Sequence, residues 1–278
     1  MEIVNQVLIF LAGYPIHLAW QANRRTALNF TIWWSLAAWG ALVCALMVAP
    51  RLGAADPTPF RYLALSLIGC ACVAILGARR PGALAWNFVV AAFLAVALMP
   101  LAEQIVGGGK LHLEWLYLVM VGGVLTVGIM NYLPTRLAPA ALMVAVGCAL
   151  ELLALGAPRV NQETLDRVTP WSRLLLALAP WAALWRLRQS SLARTEADRL
   201  WLDFRDRFGL VWGQRLREQF NRSASHAGWP VVLSWQGLRR RGHAASLPSV
   251  EQQAIQETMR ALMKRFGLEG RSDSTSVG

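Results

Sequence analysis

Apolar residues fill the first 189 positions in long runs, separated by short charged or proline-rich breaks. A helix that crosses a bilayer needs about 20 apolar residues, because each adds about 1.5 Å across a hydrocarbon core of about 30 Å. The pattern predicts about seven such helices: Ile3–Trp20, Leu28–Ala49, Phe60–Ala78, Ala83–Leu101, Trp115–Leu133, Leu137–Leu155 and Pro170–Leu187. The first is the most polar, with Asn5, Gln6, Pro15 and His17. If it only re-enters the membrane, six spans remain. Only Pro134-Thr135-Arg136 parts the fifth run from the sixth, so those two helices are expected to be antiparallel neighbours. Gly156–Thr169 reads as a polar loop.

Beyond residue 189 the periodicity changes. Leu200, Phe204, Phe208, Trp212, Leu216 and Phe220 recur every four residues, and Trp201 widens the stripe. This is an amphipathic helix, with Asp203, Asp206 and Arg207 on its opposite face. A strict four-residue step drifts around a helix, so a break is expected at Gly209 or Gly213. A Trp229–Trp235 segment with β-like character follows, and Arg239-Arg240-Arg241-Gly242 reads as an exposed turn. A second amphipathic helix should start near Ser249, capped by Ser249 with Gln252, and stop at Gly267. The chain therefore reads as an all-α, polytopic membrane bundle over residues 1–189. A small helical mini-domain over 190–269 and a disordered tail over 270–278 complete it.

Composition narrows the class. The 278 residues are 56% hydrophobic and 15% charged, against about a quarter charged in ordinary soluble domains. The net charge of +11 is spread along the chain: thirteen basic against seven acidic residues up to position 189, and fourteen against nine beyond. No basic block is long enough for a nucleic-acid arm. Arg supplies 25 of the 27 basic residues, a bias that suggests a bacterial inner-membrane protein. With the N-terminus outside, Arg24, Arg25, Arg79, Arg80 and Arg136 face the cytoplasm against Arg51, Arg61, Lys110, Arg159 and Arg167 opposite, a tie that Arg186, Arg188, Arg194 and Arg199 of the tail break in favour of a cytoplasmic C-terminus.

Candidate chemistry is sparse. The four cysteines lie inside apolar runs, and Cys70-Ala-Cys72 is not a zinc spacing. Gly107–Lys110 lacks the spacer and hydroxyl of a phosphate loop. His17 and His112 fall toward opposite faces and form no haem pair. No metal, cofactor or catalytic set emerges.

Glu151 is the only acid well inside a span. It is either an ion or proton site, or a carboxylate reaching the interface or a loop arginine such as Arg159. Glu103, His112 and Glu114 share one outer loop, where they either bind or catalyse or are merely solvated. Asn87 and Asn131 read as interhelical hydrogen-bonding groups. Two functions follow as expectations. One is a non-enzymatic scaffold, assembly factor or accessory subunit whose tail docks a protein partner through the stripe from Leu200 to Phe220. The other is a small-solute or ion/proton transporter or channel component using Glu151. An enzyme built on the outer loop ranks third.

Overall fold

The computed structural model describes residues 2–49, 51, 56–79, 82–107, 111, 113–156, 162–189, 193, 195–241 and 248–268. The fold is all-α, with 81% of the described residues helical and one small hairpin among them. In chain order it runs α1 (Glu2–Asn23), α2 (Asn29–Val43, continued by a π-helical stretch Cys44–Val48), α3 (Thr58–Leu76), α4 (Ala83–Ala97) and α5 (Met99–Gly107). Then come α6 (Trp115–Tyr132), α7 (Ala138–Gly156), α8 (Gln162–Arg188), α9 (Glu196–His226), β1 (Val231–Ser234), β2 (Gly237–Arg240) and α10 (Ser249–Lys264).

Among the described residues, five helices are long and apolar enough to cross a bilayer: α1, α2 with its π stretch, α3, α6 and α7. The α4–α5 pair, bent by 40°, makes a sixth if it counts as one span. The outer surface fits that environment. Ile3, Phe88, Ile105, Val106 and Trp115 are each more than 70% exposed, as lipid-facing side chains would be.

The seventh predicted span lies inside α8, which is too polar on average to pass as a span by composition. Arg173, Pro170, Pro180 and three tryptophans dilute its apolar run. The helix also starts at Gln162, inside the segment expected to be a loop. Glu103, likewise expected in a loop, lies in α5.

Six helices close a ring. α1 packs on α2, α2 on α3, α3 on α6, α6 on α7, α7 on α8, and α8 back on α1. α4 lies against α3 on the outside. The packing order of α1–α2–α3 recurs in α6–α7–α8, and the connecting turns match. Thr26 Oγ1 donates to Asn23 O (2.9 Å) and accepts from Leu28 N (3.2 Å). Thr135 Oγ1 donates to Tyr132 O (2.7 Å) and accepts from Leu137 N (3.1 Å). α3 opens with Thr58-Pro59-Phe60, and α8 carries Thr169-Pro170-Trp171. Both triplets run in the same direction, as in the parallel repeats from which many membrane carriers are built.

The tail packs as a unit on one end of this ring. Trp201, Phe204, Phe208, Trp212, Leu216 and Phe220 of α9 form one core with Val231 and Leu233 of β1 and Ile255, Met259, Met263 and Phe266 of the α10 region. Ala27, Leu28, Ile75 and Ala78, from the ends of α1 to α3, join the same core. Leu200 packs at its margin.

Three local expectations change. Arg239 and Arg240 lie in β2, paired with Val232 and Val231, instead of in a turn. Ser249 does not cap α10, because Pro248 holds that position. Asp206, assigned to the exposed face of α9, is buried. Gly267 ends α10 with φ 76°, as expected. Residues 270–278 lie outside the described residues.

Candidate functional site

The ring surrounds a partly open chamber of about 800 Å³. Its walls come from all six ring helices and are mostly apolar: Ile9, Ile68, Ile129, Val144, Leu176 and Leu184 are among them. Asn23, Thr31, Ser35 and Tyr132 supply polar groups. The chamber lies in the half of the ring nearer the tail, and Arg188, Asp203 and Arg207 stand at its edge. An arginine and an aspartate of the tail thus help to line a space between membrane helices.

Beyond the far end lies a buried charged cluster. Glu151, on α7, is 3% exposed. Arg61 of α3 donates from Nε to Oε2 at 2.8 Å, and its Nη2 sits 2.7 Å from the same oxygen. Ser172 of α8 donates to Oε1. A lone carboxylate in such surroundings would cost several kcal/mol, on the order of the insertion scales. Here one guanidinium and one hydroxyl answer both oxygens. The partner is Arg61, at the start of α3; the loop candidate Arg159 lies outside the described residues. Glu151 does not line the chamber; it ties three ring helices together beyond it.

At the near end the tail is seated on the ring through the break in α9. At Gly209 the backbone leaves the helix (φ 77°, ψ −163°), a region nearly confined to glycine. The break frees helix hydrogen-bonding groups around it, and the last turn of α6 satisfies them. Asn131 Nδ2 donates to Phe208 O (3.3 Å), and its Oδ1 accepts from Val211 N (2.9 Å). Tyr132 Oη donates to Arg207 O (3.0 Å). A Cβ at Gly209 would fall 2.2 Å from Asn131 Nδ2, so only glycine fits this contact.

Further bonds hold the same junction. Trp212 Nε1 donates to Ile75 O (2.9 Å) and Trp235 Nε1 to Pro134 O (2.7 Å). Asp206 accepts from Arg205 Nη2 (2.7 Å) and from Arg136 N (3.2 Å). Asn131 is therefore an interhelical hydrogen-bonding group, and the helix it joins to α6 is α9 of the tail. Replacing it with leucine should raise hydrogen exchange at the Val211 amide by about tenfold or more, because a buried N–H loses a partner worth about 1–3 kcal/mol. Exchange mass spectrometry over 205–215 reads this directly.

The other sequence candidates do not meet here. Glu103 and Glu114 are exposed, and His112 lies outside the described residues. Among the described residues no group of three His, Cys, Asp or Glu side chains is placed to hold a metal ion. The aromatic stripe expected to dock a partner is occupied by the chain's own hairpin and α10. The chamber and the Asn131 clamp escaped sequence reading, although the two Thr turns and the two Thr-Pro-aromatic triplets are visible signals of a repeat. No family model, curated protein or solved structure matches this chain.

Proposed function

We propose that this chain is a non-enzymatic carrier of the bacterial inner membrane, in which the ring chamber receives a small molecule. The observation that carries this reading is the chamber itself, bounded by two three-helix repeats, with the buried Arg61–Glu151–Ser172 cluster beyond one end and Asp203 and Arg207 of the tail at the other. Binding sites of repeat-built carriers lie at the interface of the repeats, and access alternates as one repeat rocks against the other. Glu151 then acts as part of a closure at the far end and not as a site on the solute path. The proposal takes α8 as the seventh span, since α7 and α1 flank it, with the N-terminus outside and the tail in the cytoplasm.

A carrier must populate two states, whereas a static scaffold has one. Spin labels at Phe60→Cys and Leu153→Cys, in a background lacking the native cysteines, report the far end. One distance is expected for the parent, and a longer one once Arg61→Met and Glu151→Met remove the closure together. An unchanged distance in both overturns the carrier reading. A second reading, an accessory subunit that docks a protein through its tail, draws support from the rigid seating of the tail and the exposed Arg239, Arg240 and Arg241. It requires cross-linked partners that vanish with Arg239→Glu and Arg241→Glu.

A further inference from the structure

The walls of the chamber and its mouth ask for different chemistry. Inside, the surface is mainly hydrocarbon from Ile9, Ile68, Ile129 and Leu176. A free ion or a fully polar solute would give up its water there for few hydrogen bonds, which is costly. The mouth, in contrast, is charged. It opens where α1 and α8 end, and Ala22, Leu187 and Arg188 are exposed along it. Arg207 is already engaged, its Nε 2.9 Å from Asp203 Oδ1. Arg188 makes no hydrogen bond or ion pair among the described residues, which leaves its guanidinium available to an anion. An arginine in this position suits a phosphate, which it can grip with two parallel N–H donors.

The volume is at the upper end of the about 300–1,000 Å³ usual for ligand pockets. The mouth stands at the end of the apolar helix runs, the level at which lipid headgroups lie. We infer that the chamber takes the acyl part of an anionic phospholipid from the surrounding leaflet, with its phosphate held by Arg188. This assigns a ligand class to the chamber and rests on the carrier reading.

The test is native mass spectrometry of the full chain released from vesicles of equal phosphatidylglycerol and phosphatidylcholine. One retained phosphatidylglycerol per chain is expected, preferred over phosphatidylcholine by about tenfold, because the choline ammonium offsets the phosphate charge that Arg188 meets and phosphatidylglycerol has no such cation. Arg188→Gln should bring the preference to within about twofold of none. Ala140→Trp, which fills the chamber from α7, should abolish retention, and Ala177→Phe on α8 gives the same readout if the first variant does not fold.

Equal retention of both lipids overturns the anionic assignment. Retention that survives both filled chambers places the lipid on the outer surface and overturns the site. Displacement by an equimolar amount of oleate overturns the phospholipid in favour of a fatty acid. If no lipid is retained while the far-end spin labels still separate, this inference fails and the carrier reading stands. If those labels do not move, the carrier reading fails on its own account.

Discussion

Replacing Gly209 with alanine will loosen the tail from the membrane ring. Two costs act at one atom. The backbone at φ 77°, ψ −163° charges a side-chain-bearing residue about 1–3 kcal/mol. The added Cβ would also sit 2.2 Å from Asn131 Nδ2 and 2.7 Å from Asn131 O. The first contact can yield by a rotation of the amide, but the second is backbone and cannot. Crowding of this kind adds about 1–3 kcal/mol.

Relief is available only by lifting α9 off α6, which breaks both Asn131 bonds and the Trp212–Ile75 bond. The expected result is a tail that trypsin removes at Arg205 or Arg207 at least about tenfold faster, since an opening made about 1.4 kcal/mol easier is ten times more populated. The ring should stay in the membrane fraction. Equal cleavage rates in parent and variant would show that the seating of the tail does not depend on this contact.

Arg61→Leu will destabilise the chain far more than Arg61→Leu combined with Glu151→Leu. Removing one member of a buried ion pair strands the other charge, at a cost of about 3–5 kcal/mol. Replacing both with apolar residues removes the charge that needed solvation, and such exchanges are often neutral or favourable. Glu151 is nearly inaccessible, and the side chain of Arg61 is only 14% exposed, so screening by water is slight. Thermal denaturation in detergent should rank parent and double variant close together and Arg61→Leu well below both. If the double variant falls as low as the single, the pair is a structural requirement in its own right and not a mutual neutralisation. Ser172→Ala should produce a smaller loss, of about 1–3 kcal/mol, because it removes one hydrogen bond and leaves the ion pair in place.

What the sequence displays well is hydrophobic period. The α1, α2, α3, α6 and α7 runs are legible because lipid imposes one rule, a sustained apolar stretch, on each of them. α9 is legible because its stripe recurs every four residues, and the expected break falls at Gly209 because the stripe drifts and glycine stands where it must be corrected.

α8 is harder. Its prolines and Arg173 look like a loop and a weak span, yet helix packing on α7 and α1 carries the helix from Gln162 onward. Asp206 misled for a related reason. Period placed it on the polar face, but that face meets Arg136 at the end of the ring instead of water. Partners are the least legible property of all. Nothing at Glu151 announces an arginine 90 positions earlier. The chamber arises only when six helices meet, and no one of them encodes it.

The clamp at Asn131 also bears on how the protein is made. Synthesis delivers α6 some 80 residues before Val211, so for a time the ring stands at the membrane without its lid. During that interval the Asn131 amide has neither of its backbone partners, and Ile75 and Ala78 lack their cover. α10 comes later still, and Phe266 just after it accepts from the Ala27 amide at 3.0 Å. That bond stitches the segment after α10 to the turn between α1 and α2. A nascent protein stalled before that stitch would offer a proteolytic surveillance system an unpaired amide and an uncovered apolar rim.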